Sequence, residues 1–224
     1  FPGAQRDGLF GIWYGKAPGV DRTGDVFKHA NAAGTSPLGG VLAVLGDDHM
    51  CKSSTLPSQS EFAMQDAEIP VLNPASIQDV LDYGLHGWAM SRFSGGWSSM
   101  IALADTMDSG SVVDISLKRM SFVTPEFAFP NDGVHMRRAD PPLEKARRLR
   151  EFKLPAAQAW ARANQLDHVI LPSAKPRVGV FVTGQAARDV FEALAALGLT
   201  PDEASRLGVT IYKVAMPWPL EPEG

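Results

Sequence analysis

A short apolar run, enclosed by glycines and followed at once by titratable residues, most constrains the fold. A glycine pair precedes the run Val41–Leu45, and one further glycine separates it from Asp47, Asp48 and His49. A five-residue apolar run of this kind is typical of a buried strand in a parallel sheet. Ligands of open α/β sheets bind outside the carboxyl ends of the strands. The sequence therefore places candidate catalytic or binding groups at this strand end.

Other short apolar runs alternate with helical patterns along the whole chain. Strands are predicted at Leu9–Tyr14 (a buried strand), Val41–Leu45, Ile69–Leu72, Ser99–Thr106, Val112–Leu117, Arg177–Thr183 and Val209–Val214. Helices are predicted at Thr23–Ala33, Ser58–Ala67 (a capping box of Ser58 and Glu61), Ser76–Gly95, Pro142–Ala163, Gln185–Leu197 and Pro201–Leu207. This alternation predicts an α/β fold with a mostly parallel sheet and helices on both faces.

Composition excludes several classes of function. The net charge of −4 argues against a nucleic-acid surface, which is normally basic. No apolar run reaches the 18 residues of a membrane span. The single cysteine, Cys51, rules out an internal disulfide and fits a reducing compartment, so a cytoplasmic location is expected. Basic residues between positions 137 and 150 are interrupted by acidic ones, which favours a solvated helix face over a polyanion site.

The segment Gly15–Asp25, between the first strand and the first helix, is a candidate ligand loop. Glycine lets backbone approach a ligand closely, and the start of the following helix offers unpaired N–H groups. Neither a dinucleotide fingerprint nor a P-loop is present. The residues alone leave open a ligand loop or a plain connection.

The Asp-Asp-His segment, 47–49, has several possible roles. Its residues could perform acid/base chemistry, bind a substrate, or cap a strand end as surface groups. Metal ligands usually converge from separated positions, and no second histidine or cysteine cluster accompanies this one, so no metal site is predicted. The hydroxyls of Ser53 and Ser54 could bind a ligand or cap a turn.

Three stretches resemble one enzyme family, in the family's order. They are residues 11–55, with GKAPGVDRTGD and GDDHMCKSST; residues 60–97, with QDAEIPVLNPASIQDVLDYGLHGW; and residues 177–222, with RVGVFVTGQAARDV and GVTIYKVAMPWPL. They are similar to the long, fused bacterial indolepyruvate ferredoxin oxidoreductases. These enzymes belong to the thiamine-diphosphate-dependent 2-oxoacid:ferredoxin oxidoreductases.

The resemblance implies a division of the chain. Residues 1–120 would be a pyrimidine-binding (PYR-type) thiamine-fold module that lacks its N-terminal part, and residues 121–175 a linker. Residues 176–224 would begin a transketolase C-terminal-like domain, an incomplete Rossmann-like unit. The family's activating glutamate lies upstream of the segment matched by Phe1, so no glutamate here is assigned that role. The family's diphosphate-binding motif and cluster-binding cysteines are also missing from the sequence. The isolated fragment is therefore expected to be inactive and to bind no cofactor tightly.

The resemblance also implies roles for particular residues. Residues that would approach the aminopyrimidine of the cofactor are Lys16, Ala17, Pro18, Gly19, Val20 and Asp21. Asp47 and His49 are the candidate catalytic residues, and Asp48, Ser53 and Ser54 the candidate substrate contacts.

For the full-length parent, the resemblance implies oxidative decarboxylation of an aryl 2-oxoacid, such as indole-3-pyruvate, to an acyl-CoA with ferredoxin as acceptor. Thiamine diphosphate with Mg²⁺ and iron–sulfur clusters would serve it, together with its remaining domains, as a homodimer. The alternative is a non-catalytic α/β module that binds a nucleotide or a partner protein. A collapsed loop at Gly15–Asp25 and solvated acids at 47 and 48 would favour that alternative. A cleft lined by Lys16, Pro18, Asp47 and His49 would disfavour it.

Overall fold

The computed structural model describes residues 8–116 and 118–223 and contains a parallel sheet near the start of the chain. The strands of this first sheet run parallel in the order β1-β2-β4-β3. The first unit consists of β1 (Phe10–Lys16), α1 (Ala17–Ala33), β2 (Gly40–Asp47), α2 (Glu61–Asp66), β3 (Val71–Leu72), α3 (Ile77–Ser94), β4 (Ser98–Leu103) and α4 (Ala104–Met107).

Helices cover both faces of this sheet, which confirms the predicted α/β fold. On one face, Leu42 packs with Met90 of α3 and with residues from further along the chain. On the other face, Leu45 packs with Phe27 of α1 and with α2. Helix α3 lies close to β2 because Gly87 faces it: a Cβ there would lie 2.7 Å from Leu42 Cδ1. The two cores therefore share the central strands.

The first strand and helix differ from the prediction. β1 is an edge strand rather than a buried one, and the side chains of Phe10, Ile12 and Tyr14 are more than half exposed. Helix α1 begins at Ala17, directly after β1, instead of at Thr23. Pro18 lies in its first turn, where a missing N–H costs nothing and the fixed φ already suits a helix. The glycines of this region thus do not form an extended loop.

Three other boundaries also differ. β4 ends at Leu103, and the short helix α4 replaces the last residues of the predicted strand. Residues 112–116 form no strand, and residue 117 lies outside the described residues. Helix α2 starts at Glu61 after Ser60, so the predicted capping box with Ser58 does not form. By contrast, Ser76 caps α3 as predicted, accepting a hydrogen bond from the N–H of Asp79.

A helical segment covers the predicted range Pro142–Ala163, with a π-helical turn in its middle. It comprises α5 (Pro142–Arg148), the π-helical turn Leu149–Lys153 and α6 (Leu154–Ala163). Pro155 in the first turn of α6 has no N–H to donate, and the wider turn before it accommodates this loss. Residues 118–131, which contain no helix or strand, bring Phe122 against Trp160 of α6.

A second, smaller sheet follows. It has the order β5-β7-β6 and contains β5 (His168–Leu171), β6 (Val178–Thr183) and β7 (Val209–Val214), with α7 (Ala186–Ala196) and α8 (Pro201–Leu207) between the last two strands. β6 and β7 are parallel, whereas β5 runs antiparallel to β7. β5 was not predicted and lies before position 176, so the second sheet starts earlier than the expected domain boundary.

The chain then returns to the first sheet. The N–H of Val71 donates to Trp218 O at 2.7 Å, and the N–H of Asn73 donates to Ala215 O at 2.8 Å. Ala215 and Met216 are fully buried in the core beneath α3. The two units are therefore packed together through this return segment, 215–218. Among the described residues, no helix is long and apolar enough to cross a membrane.

Candidate functional site at the carboxyl ends of β1 and β2

The carboxyl ends of β1 and β2 lie side by side. Lys16 pairs with Gly46 in the parallel register. A Cβ on Gly46 would lie 3.3 Å from both Gly15 O and Lys16 Cα, so glycine permits this close approach. Lys16 Nζ donates to Ser53 O at 3.2 Å and so connects β1 to the segment after β2. The first turn of α1 and residues 48–59 therefore face one another.

A cleft of about 370 Å³ lies between these two segments. Lys16, Ala17, Pro18 and Asp21 line one side, and residues 54–59 line the other. A second cleft, of about 310 Å³, shares residues 57–59 and reaches His49. The structure thus brings together most of the residues expected to approach a cofactor. Gly19 and Val20 do not line the cleft, and Val20 is buried in the core beside β2.

Asp48 shapes the segment that forms the outer wall of the cleft. Its carboxylate, in a residue only 4% exposed, accepts hydrogen bonds from the N–H groups of Lys52, Ser53 and Ser54 at 2.8–2.9 Å. The backbone bond from Ser53 is the main reason that the pKa of Asp48 is lowered. An antiparallel bridge between Asp48 and Ser58 closes the base of the segment. Asp48 therefore holds the loop together, and its contact with a substrate stays a prediction.

Ser54 lines the cleft, but its hydroxyl oxygen is buried. The hydroxyl lies close enough to the Asp48 carboxylate to help lower the pKa of that group. Ser53 is exposed, and it contributes its carbonyl oxygen to Lys16.

Asp47 is almost completely buried directly beneath this site. Its carboxylate accepts hydrogen bonds from the N–H of Ser60 at 2.9 Å and from the Ser60 hydroxyl at 2.6 Å. Burial raises the pKa of Asp47 to about 6, because desolvation outweighs these bonds and Glu61 adds to the effect. The carboxyl group therefore holds its proton more readily than an exposed aspartate does.

Glu61, which the sequence analysis treated only as a helix cap, completes a three-residue cluster. Ligand-type atoms of Asp47, His49 and Glu61 all lie within 4.8 Å of one another. Oε2 of Glu61 is buried and has no hydrogen-bond partner among the described residues. The Ser60 hydroxyl, at the N-cap position of α2, donates to Asp47 instead of capping the helix.

The end of β4 also contributes polar groups that the sequence analysis missed. Lys52 forms an ion pair with Asp105, which ties the outer loop to the start of α4. Thr106 is buried, and its Oγ1 has no partner among the described residues. The available signal was an Asp-Thr pair that begins one residue after the apolar run of β4.

A larger cleft, of about 500 Å³, lies between α1, α2 and α5. Its charged side chains are largely paired with one another, as in the ion pairs of Lys28 with Asp66 and of Arg150 with Glu68. We therefore place the functional site at the carboxyl ends of β1 and β2.

These features define the class of protein: a parallel α/β unit with ligand groups at the carboxyl edge of its sheet, followed by a second, smaller α/β unit. Residues 168–224, about a quarter of the chain, match the family model described as "Indolepyruvate oxidoreductase domain". No curated protein matches the sequence significantly.

The fold is similar to a solved 2-oxoglutarate:ferredoxin oxidoreductase from Magnetococcus marinus, whose structure holds 2-oxoglutarate, coenzyme A and succinyl-CoA. The TM-score is 0.58 at 13% sequence identity, over 96% of this chain and 43% of that one. The chain therefore spans less than half of the solved enzyme. The family model over the last quarter of the chain and the shared fold both agree with the resemblance drawn from the sequence.

Proposed function

We propose that the polypeptide containing this chain is a thiamine-diphosphate-dependent 2-oxoacid:ferredoxin oxidoreductase, and that this chain forms one wall of its cofactor site. The cleft between the first turn of α1 and residues 54–59 carries this proposal. It lies at the carboxyl edge of a parallel sheet, where α/β proteins bind ligands. The acids at 47 and 48 are buried rather than solvated, which disfavours the alternative of a non-catalytic binding module. His49 lines the adjoining cleft instead of the one that contains Lys16 and Pro18, and Asp47 lines neither.

The residues of the cleft fit the aminopyrimidine part of the cofactor. In the proposal, Lys16, Ala17, Pro18 and Asp21 contact the ring, and Ser54 on the opposite wall contacts the cofactor or the substrate. When bound, the cofactor supplies the thiazolium chemistry. A single cysteine cannot ligate an iron–sulfur cluster. Clusters, Mg²⁺ and the diphosphate would therefore be bound by other parts of the polypeptide.

His49 and Asp47 serve in this proposal as an acid/base pair. His49 is exposed toward the adjoining cleft and is the member that would contact the substrate. Asp47 is buried close to His49, and in the proposal its carboxylate balances the charge of the imidazolium. Asp48 and Ser53 position the loop that carries Ser54.

The proposed substrate is an aryl 2-oxoacid such as indole-3-pyruvate, with coenzyme A and ferredoxin as the other reactants. The family model at residues 168–224 supports this choice, and the ligands of the solved relative support a 2-oxoacid and coenzyme A in general. We further propose a cytoplasmic homodimer, the location resting on the single cysteine.

The test uses the full-length parent protein with its clusters intact. We expect indolepyruvate- and CoA-dependent reduction of a low-potential dye that requires added thiamine diphosphate and Mg²⁺. Parallel assays with 2-oxoglutarate and branched-chain 2-oxoacids define the specificity. If none of these 2-oxoacids supports cofactor-dependent reduction, the proposal is wrong.

Substitutions in the parent test the roles of individual residues. His49→Asn should lower kcat by about 100-fold, within the range that acid/base groups contribute. Asp66→Asn is the matched control, because Asp66 is exposed at the far end of α2 and away from the cleft. The isolated chain should show no turnover and no tight binding of thiamine diphosphate.

A further inference from the structure

We infer that Asp47, His49 and Glu61 bind one divalent transition-metal cation, with zinc as the best fit. This site goes beyond the proposed function, which needs no metal at this position; with a cation bound, His49 and Asp47 are ligands, and this replaces the acid/base role proposed for them. It also departs from the sequence analysis, which predicted no metal site in this chain.

The first support is the convergence of ligands from separated positions. Asp47 ends β2, His49 begins the outer loop, and Glu61 starts α2 after that loop has returned through the Asp48–Ser58 bridge. Their ligand atoms lie within 4.8 Å of one another. Zinc bonds of about 2.1 Å in a tetrahedral arrangement place ligand atoms about 3.4 Å apart. Binding would therefore require the three side chains to move closer together, and His49, which is exposed, has room to do so.

The second support is a charge without a counter-charge. Asp47 is almost completely buried, and one oxygen of the neighbouring Glu61 is buried and accepts no hydrogen bond from any residue that the structure describes. In the part of the chain that the structure describes, no lysine or arginine forms an ion pair with either carboxylate. Buried carboxylates in this state are costly unless they are paired or coordinate a metal. A cation held between them would supply the missing positive charge.

The donor set selects the type of cation. One imidazole and two carboxylates suit zinc and related first-row ions, whereas Mg²⁺ favours an octahedral shell of oxygens. Three protein ligands leave a fourth position for water, as in open zinc sites. That position would lie on the exposed side, next to His49.

The test is a binding measurement, so its result is independent of whether the parent has the proposed activity. The chain, stripped with chelator, is titrated with Co²⁺ while its d–d absorption is followed, and Zn²⁺ is then added as competitor. We expect one Co²⁺ per chain, displaced by Zn²⁺. Glu61→Gln should weaken binding at least about tenfold, since even loss of an outer-shell partner costs that much.

The control variant is His29→Asn. His29 is an exposed histidine 3.6 Å from Asp25, so it resembles the site but lacks a third ligand. Its substitution should leave the affinity unchanged, and circular dichroism should show that both variants remain folded. Absence of saturable Co²⁺ and Zn²⁺ binding, or an affinity that survives Glu61→Gln, would overturn the inference.

Discussion

Lys153 provides the sharpest test of the packing described above. Its Nζ donates to Asn31 O at 3.2 Å and to Ala32 O at 3.3 Å, at the carboxyl end of α1. Carbonyl groups there have no partner within their own helix, and the helix dipole favours a cation. However, the side chain is only 2% exposed, and no carboxylate among the described residues forms an ion pair with it.

Burial lowers the pKa of Lys153 from 10.5 to about 8, despite the opposing charge of Asp140. Below pH 8 the lysine is protonated in both the folded and the unfolded chain, and folding bears the full cost of burying the cation. Above pH 10.5 it is neutral in both, and the cost is gone. A shift of this size corresponds to about 3 kcal/mol, so Lys153 should make the protein more stable as pH rises between those values.

Lys153→Met removes this pH dependence while keeping a long apolar side chain. Urea unfolding at several values from pH 7 to pH 10 should show that the wild type gains stability relative to the variant, by about 2 to 3 kcal/mol across the range. Lys175→Met, at an exposed position, is the matched control and should follow the wild type. If wild type and Lys153→Met change in parallel, the reasoning about the buried cation is refuted.

Three further predictions concern other parts of the fold. Burial lowers the pKa of His86 to about 4, so as the pH falls the unfolded chain takes up a proton before the folded chain does. Between pH 7 and pH 5 the free energy of unfolding of the wild type, measured with urea, should therefore fall by about 2 kcal/mol relative to that of His86→Phe. Thr200→Ala removes the capping box of α8 and should cost about 1 kcal/mol by the same assay, whereas an unchanged midpoint would deny the cap a role. Ile12→Lys places a charge on the exposed edge strand and should reduce self-association in sedimentation experiments; equal association would show that this edge is not involved.

Local signals in the sequence were sufficient for several elements. Ser76 and the glycine at 95 delimit α3, and Thr200 with the following proline marks the start of α8. Helix ends of this kind can be predicted because a cap depends only on residues that are close in the sequence. β5 was missed because a four-residue strand depends on its antiparallel partner β7, far along the chain. Residues 112–116 have the composition of a strand, but no strand within residues 8–116 and 118–223 pairs with them.

The candidate site was likewise predictable in part. The strand end at Asp47 was found because an apolar run stops at polar residues. Glu61 was missed because only the closure of the loop at Ser58 brings α2 back to that strand end. Pro18 and the nearby glycines suggested a loop, although the same proline is also favourable in the first turn of a helix.

The return segment 215–218 makes the folding of the two units cooperative. Trp218 bonds to the outer edge of β3, and Met216 fills the core of the first sheet, although both residues follow the last strand of the second unit. Unfolding the second unit alone would open that core and uncover that edge, so a single unfolding transition is expected rather than two. Residues 168–224 therefore form a unit of sequence similarity without being an autonomous unit of stability.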